Sequence, residues 1–436
     1  MAQVSIGQVE NLEDLARGLE SVREALESAC REQIAAAEGK YAEAREETQN
    51  SESMLENACQ AEMEAQQAVE DAQQNLESVE AALSAAVSTL SDCEAQPSDE
   101  EGRGPDCSGD EAAVADAQEV VTEAQKAVAE TKAELEKATE NRQSMEQRVE
   151  CVKQALAIAE TLFEQAKQEC ASRINAVCNA IEIGKTRLTA AQHALKAYLA
   201  TNPSAAQFHS WLHWHPEQGK PITPDVIRDR MNLSVEQQHL LQEYLYDRNP
   251  AYRNLIDKYR GEWATAKGDV ERNIVNRETR IHLCGEFAEQ IARHALAPLG
   301  GKIETQGRTF VGDGGRYTKT DLLVTDLRVP VILGRGDGMG APAGGSMAFE
   351  VKCGKSDYLY AQKEHMTFQA EGHKQADAHC TLCSRDIHDL PPEKEKELRD
   401  ALRDAGSPMV GMLPTKNDID QSCLEFIREG AEEEKK

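Results

Sequence analysis

Aromatic side chains make up only 4% of the 436 residues. That scarcity argues against one large aromatic-rich core and suits helices stitched together by Ala and Leu. No proline precedes Pro97, and none falls between Pro105 and Pro203, so nothing in those stretches forces a helix to break. Between Arg45 and Arg103 there is no Lys or Arg at all. Such a segment repels phosphate, which excludes nucleic-acid wrapping by that part of the chain. No apolar run approaches the ~20 residues of a membrane span. The opening MAQVSIGQVENLEDLARGLE lacks a basic segment followed by an apolar one. The reading is a soluble chain without a Sec-type signal peptide.

What is present is acid and helix former. The chain carries 77 acidic and 48 basic residues, a formal net charge of −29. Residues 1–200 hold 40 acidic against 17 basic side chains, residues 201–436 hold 37 against 31. Two different jobs share a chain long enough for roughly two to four domains.

The two proline-free stretches are rich in Ala, Glu, Gln and Leu. Alternate steps of three and four from Leu55 give Leu55, Ala58, Glu62, Ala65, Val69, Ala72, Leu76, Val79, Leu83, Ala86 and Leu90, with Glu62 the one break. A second stripe runs from Val114 through Val121, Val128, Leu135, Arg142, Met145 and Val149 to Leu156. Heptads sustained this long predict a coiled coil. The Pro-, Gly- and Asp-rich segment at about 94–110 predicts its turn, making residues 1–200 an acidic antiparallel hairpin.

Facing residues of such a hairpin share a midpoint. Cys93/Cys107, Cys59/Cys151 and Cys30/Cys178 have midpoints 100, 105 and 104, close to a turn centre near 102. One to three of these pairs are expected as disulfides, which imply an oxidising compartment; the other reading is buried thiols. The hairpin serves as a spacer or docking element, or as a delivery domain for the C-terminal region.

Near Asn202 the heptads stop. Phe208, Trp211 and Trp214 appear with His209, His213 and His215, in a spacing read as packed connector rather than metal site. Thr223-Pro224-Asp225 opens a short helix, and Ser234 with Gln237 forms a capping box for the next. Residues 201–275 are therefore a helical connector. Residues 251–320 hold 12 basic and 9 acidic side chains, a modest hint of a phosphate-facing surface.

From residue 276 the pattern turns to α then β. NRETRIHLCGEFAEQIARHALAPLGG reads as an amphipathic helix, KIETQGRTF, YTKTDLLVTD and PVILG as short strands. GRGDGMGAPAGG reads as a flexible loop: a strand comes after it, so its GxGxxG spelling lacks the dinucleotide context. SMAFEVKCG is a strand, and a helix is expected from Ser356 or Asp357 through Cys380. Asp321 opens one strand, while Glu350 and Lys352, two apart, project from one face of another. An Asp and a Glu brought together can share a divalent cation. A Lys beside them can orient or deprotonate a water and steady charge on a phosphoryl oxygen, which is what in-line phosphodiester hydrolysis needs.

That order of residues resembles the PD-(D/E)XK, restriction-endonuclease-like nucleases over about residues 276 to 390. The resemblance implies an α/β domain with a mixed central sheet at 276–436. It implies Asp321 and Glu350 as metal ligands, Lys352 as the catalytic Lys, Glu286 or Glu289 as the acidic residue of the first core helix, and Gln362 as the Gln of the next helix. Mg²⁺ or Mn²⁺ is the expected cation, Zn²⁺ a further choice. Thr320 stands where the family often has Pro. The long gap from Asp321 to Glu350 requires the Gly-rich loop to be an excursion; otherwise Asp326 or Asp337 takes the ligand's place.

A second constellation, His373, His379, Cys380, Cys383 and His388, has thiols and imidazoles that suit a structural zinc. In the other readings these residues decorate a helix end and turn, or one His joins the nuclease centre. PPEKEKELRDALRDAG reads as a surface helix, MVGMLPTKNDIDQSCLEFI as a last strand and turn.

A long helical N-terminus before a C-terminal nuclease resembles bacterial polymorphic toxins and secreted antibacterial effectors. This implies a DNase, with RNA also open, that a secretion apparatus such as type VI or a chaperone engages through the helices. Made in the bacterial cytoplasm, it would act in the target cell's cytoplasm and be blocked by a cognate immunity protein. Two other readings stand: a repair or phage-restriction nuclease with a coiled-coil assembly arm, and a non-enzymatic scaffold whose C-terminal domain binds a partner.

Overall fold

The computed structural model describes residues 5–97, 104–305, 309–311, 317–335, 339–373 and 376–433. The chain divides into two compact units, Leu19–Ala180 and Met1–Gly18 with Ile181–Lys436. The division differs from the expected boundaries at 200 and 275: the expected connector packs into the same core as the sheet C-terminal to it. Among the described residues no helix is long and apolar enough to cross a membrane.

Unit Leu19–Ala180 is built from α1 (Ile6–Glu94) and α2 (Ser108–Thr201). Every position of the Leu55–Leu90 stripe is buried or half-buried, as are Val114, Val121, Val128, Leu135, Arg142, Met145, Val149 and Leu156. The two charged interruptions meet: Arg142 Nε lies 2.6 Å from Glu62 Oε2, and Thr139 donates to Glu62 Oε1 at 2.8 Å. Tyr41 stacks on Phe163, and Lys153 pairs with Glu52 at 2.8 Å. Rising numbers on one helix meet falling numbers on the other, so the two run antiparallel.

Cys93 and Cys107 form a disulfide with Cα atoms 6.0 Å apart. The other two expected pairs are not joined: Cys30, Cys178, Cys59 and Cys151 are free, with Cys151 and Cys178 exposed. Facing residues have midpoints of about 100–102, as Thr48 and Val152 show through their 3.5 Å hydrogen bond. A midpoint of 104 or 105 therefore sets the partners about 6–15 Å out of register along the helix.

The second unit centres on a five-stranded mixed sheet in the order β1-β4-β7-β8-β9. These are Lys302–Thr305, Leu322–Thr325, Met347–Lys352, Ala378–Ser384 and Met409–Leu413. β1 with β4 and β4 with β7 pair antiparallel; β7, β8 and β9 are parallel. Two small pairs lie beside it, β2 (Thr309–Val311) with β3 (Tyr317–Lys319), and β5 (Val331–Ile332) with β6 (Gly340–Ala341). The Gly-rich stretch expected as loop thus contributes β6; Asp337 lies outside the described residues.

Alternation along the strands builds the layers. Phe349 and Val351 of β7, with Cys380 and Leu382 of β8, face one core. There they meet Phe287 and Ile291 of α7 (Gly268–Leu296) and Ile419, Cys423 and Ile427 of α11 (Lys416–Glu433). Into the same core pack α3 (Pro203–Leu212), α4 (Pro224–Met231), α5 (Val235–Arg248) and α6 (Pro250–Thr265). The Ser234–Gln237 capping box forms as expected. On the sheet's other face Leu359 of α8 (Ser356–Ala361), Met366 of α9 (Lys363–Gly372) and Leu398 and Leu402 of α10 (Pro392–Asp404) gather around Cys383.

Two expectations about elements fail here. The single helix expected from 356 to 380 is two short helices broken at Gln362, and β8 already begins at Ala378. The expected final turn is instead the long helix α11. Its start was legible in the sequence: Thr415 and Asp418 cap one another reciprocally, each backbone N–H donating to the other's side chain.

Candidate active site

The β4–β7 ladder pairs Leu322 with Phe349. One step beyond it, Asp321 falls opposite Glu350. Asp321 Oδ2 accepts the Val351 N–H at 2.7 Å, and its carboxyl lies within hydrogen-bonding reach of Glu350. Thr320 is fully buried, its hydroxyl shared between the carbonyls of Leu322 and Phe349 at 3.2 and 3.4 Å.

Glu350 and Lys352 leave β7 on the face covered by α8 and α9. The Lys352 ammonium donates to Glu350 Oε1, which also accepts from Gln369 Nε2. Glu350 is 2% exposed, and its other oxygen, Oε2, has no hydrogen-bond partner among the described residues. Burial pushes the Glu350 carboxyl up to about 8, with Asp321 adding to the rise and Lys352 opposing it. Burial alone would pull Lys352 down, but the charges of Glu350 and Asp321 outweigh it and hold the ammonium above its usual range. Gly354 follows this end of the strand: a Cβ there would lie 2.2 Å from the Tyr358 ring, which would have to turn away.

His373 ends α9 with its Nε2 3.7 Å from Glu350 Oε2. Burial, then the neighbouring His379 and Lys352, lower its pKa to about 4, so it is neutral near pH 7.

The structure thus brings Asp321, Glu350 and Lys352 together and leaves other expected residues apart. Gln362 sits half-buried at the α8–α9 junction; Gln369, two helical turns further on, reaches Glu350 instead. Met366, Gln369, Ala370 and His373 fall on one helical stripe. A Gln and a His on an otherwise apolar row were the signal that would have found them. Glu286 and Glu289 lie half-buried on α7, Glu286 accepting from Gln290 at 2.8 Å. That helix packs against the Phe349 face of β7, opposite to the face that carries Glu350 and Lys352. Asp326 sits in the turn after β4 with φ 54°, its carbonyl accepting the Gly301 N–H.

The five residues of the expected zinc site do not converge. Cys380 and Cys383 are on a strand, and an odd spacing there sends the thiols to opposite faces, Cys380 into one core and Cys383 into the other. Burial pushes both thiols up, Cys383 to about 12, which disfavours the thiolate that zinc requires. His388 is exposed and pairs with Glu395 at 3.2 Å. Among the described residues no group of three or more His, Cys, Asp or Glu is arranged to hold a metal ion.

The two carboxyls remain. A hard divalent cation such as Mg²⁺ needs only one or two carboxylates when waters and substrate phosphate fill its shell. Glu350 Oε2, buried and accepting no hydrogen bond among the described residues, is a fitting donor. No family model matches the chain, and neither a curated protein nor a solved structure matches it.

Proposed function

We propose that the chain is a metal-dependent nuclease of the restriction-endonuclease-like kind, with DNA as its first substrate. It would act as an antibacterial effector restrained by an immunity protein, its N-terminal helices forming a coiled-coil hairpin for delivery or docking. The observation that carries the reading is the convergence of Asp321, Glu350 and Lys352 at the end of β7, with Glu350 Oε2 buried and accepting no hydrogen bond among the described residues. A buried acid held protonated beside a second carboxyl is a poor structural element and a ready cation seat.

Asp321 and Glu350 would hold the cation, which supplies Lewis-acid polarisation of the phosphoryl oxygen and an activated water. Lys352 keeps its proton at neutral pH, so its role is to neutralise charge on the phosphoryl oxygen and orient the water rather than to act as the base. Gln369 fixes the Glu350 carboxyl, so that the acid does not rotate when its proton is lost.

The test is cytoplasmic expression in a bacterium. The wild-type chain should fragment nucleoid DNA and stop growth, and Glu350→Ala should do neither. Growth arrest by both chains alike would contradict the nuclease reading and favour a partner-binding scaffold.

A further inference from the structure

Twelve cysteines are many for a chain with one disulfide among its described residues. Their places within unit Leu19–Ala180 are not equivalent. Cys59 is half-buried, while Cys151 and Cys178 face solvent. Cys30 on α1 and Cys170 on α2 are 3% and 2% exposed. The two have midpoint 100, the same as the disulfide pair Cys93 and Cys107 and as the hydrogen-bonded residues Thr48 and Val152. Equal midpoints in an antiparallel pair mean direct opposition. The contacts agree: the two thiols lie within hydrogen-bonding reach, and Cys170 Sγ also meets Gln33 Oε1, one turn from Cys30, at 3.9 Å.

We propose that Cys30 and Cys170 are a second disulfide site of the long helices, closed by exchange with a small-molecule disulfide such as oxidised glutathione. One cysteine thiolate attacks a sulfur of the donor and expels a thiolate. The other then attacks the protein sulfur of the mixed disulfide, and the second thiolate leaves. The protein loses two electrons and two protons, and the donor becomes two thiols. Side chains already opposed need little backbone movement to reach disulfide geometry.

The Cys30 contact and burial both raise the Cys170 thiol above its usual range. Closure is therefore slow in the settled structure and fast only while the helices are assembling or locally parted. Once formed, the bond staples α1 to α2 far from the turn, and with Cys93–Cys107 it brackets the paired stripes at two places. In a reducing compartment the buried site opens only as the helices part. This proposal does not depend on the nuclease reading.

The test is non-reducing peptide mapping of the full chain, refolded in oxidised or in reduced glutathione and alkylated before digestion. The expected result is a Cys30–Cys170 linked peptide in the oxidised sample and its loss in the reduced one. The oxidised chain should also melt several degrees higher, a gap that Cys30→Ala and Cys170→Ala each narrow to that left by Cys93–Cys107. Recovery of both cysteines alkylated from an oxidised sample in which Cys93–Cys107 has closed would overturn the proposal. So would a link from Cys30 to Cys178. The mapping uses the unsubstituted chain, so it stands even where a variant folds poorly.

Discussion

Gln369 donates its side-chain amide to Oε1 of Glu350, the same oxygen that the Lys352 ammonium holds. A carboxyl restrained by two donors through one oxygen presents the other in a fixed direction. Gln369→Leu keeps the buried volume and removes the donor. Losing a hydrogen bond to a charged group costs about 1.5–3 kcal/mol, so we expect a ~10–100-fold loss in cleavage rate. Gln362→Leu, at the helix junction, should stay within about twofold. Initial rates on linear DNA check both.

The pH dependence of stability should carry the mark of Glu350. Its folded pKa of about 8 lies above its ordinary 4.5, so the native state binds the extra proton. Its contribution is complete below pH 4.5 and lost as pH rises through 8. His373 and His294, both lowered to about 4 mainly by burial, act oppositely, losing stability as pH falls from 6.5. Above 6.5 they drop out. In EDTA, between pH 6.5 and 8, unfolding free energy should fall by up to roughly 1.4 kcal/mol per pH unit. Glu350→Gln should flatten that slope, as urea titrations at fixed pH will show.

The Glu62–Arg142 pair sets the register of the long helices, because each is the charged break in its own stripe. Both side chains are about one quarter exposed, so solvent screens the pair and its contribution is small. Glu62→Arg alone should lower the melting temperature of α1 and α2 by a few degrees. Glu62→Arg with Arg142→Glu should recover most of that loss, and circular dichroism melts of the full chain measure both.

Reduction of Cys93–Cys107 should loosen the ends of α1 and α2 next to it. A loop of this length is held by about 3 kcal/mol of denatured-state constraint. In Cys93→Ser the amides of 84–94 and 108–118 should exchange several-fold faster, with those near Val149 unchanged. Hydrogen-exchange mass spectrometry separates the two regions.

The paired helices were legible because their pattern is local and long. Every apolar stripe position from Leu55 to Leu90 is at least half-buried, and even the break at Glu62 found its counterpart. The cysteine pairing was legible only to within a helical turn or two: a midpoint error of four residues looks small in sequence but spans about 12 Å. Asp321, Glu350 and Lys352 could be placed together because an i, i+2 pair on a strand must share a face. Gln369 left a weaker trace, a polar residue on the apolar row of Met366 and Ala370, in a helix whose break at Gln362 the sequence does not mark. The zinc set failed for a related reason. Cys-x-x-Cys converges in a turn and diverges on a strand, and β8 begins where a helix was expected.

The central claim is phosphodiester hydrolysis at Asp321, Glu350 and Lys352. Its most direct measurement is incubation of the full chain with supercoiled plasmid in Mg²⁺, Mn²⁺ or EDTA, alongside Glu350→Ala and Lys352→Ala. We expect loss of supercoiled DNA with Mg²⁺ or Mn²⁺, none in EDTA, and at least a hundredfold reduction in each variant. Intact plasmid and intact RNA under every metal, or cleavage that survives both substitutions, would contradict the account.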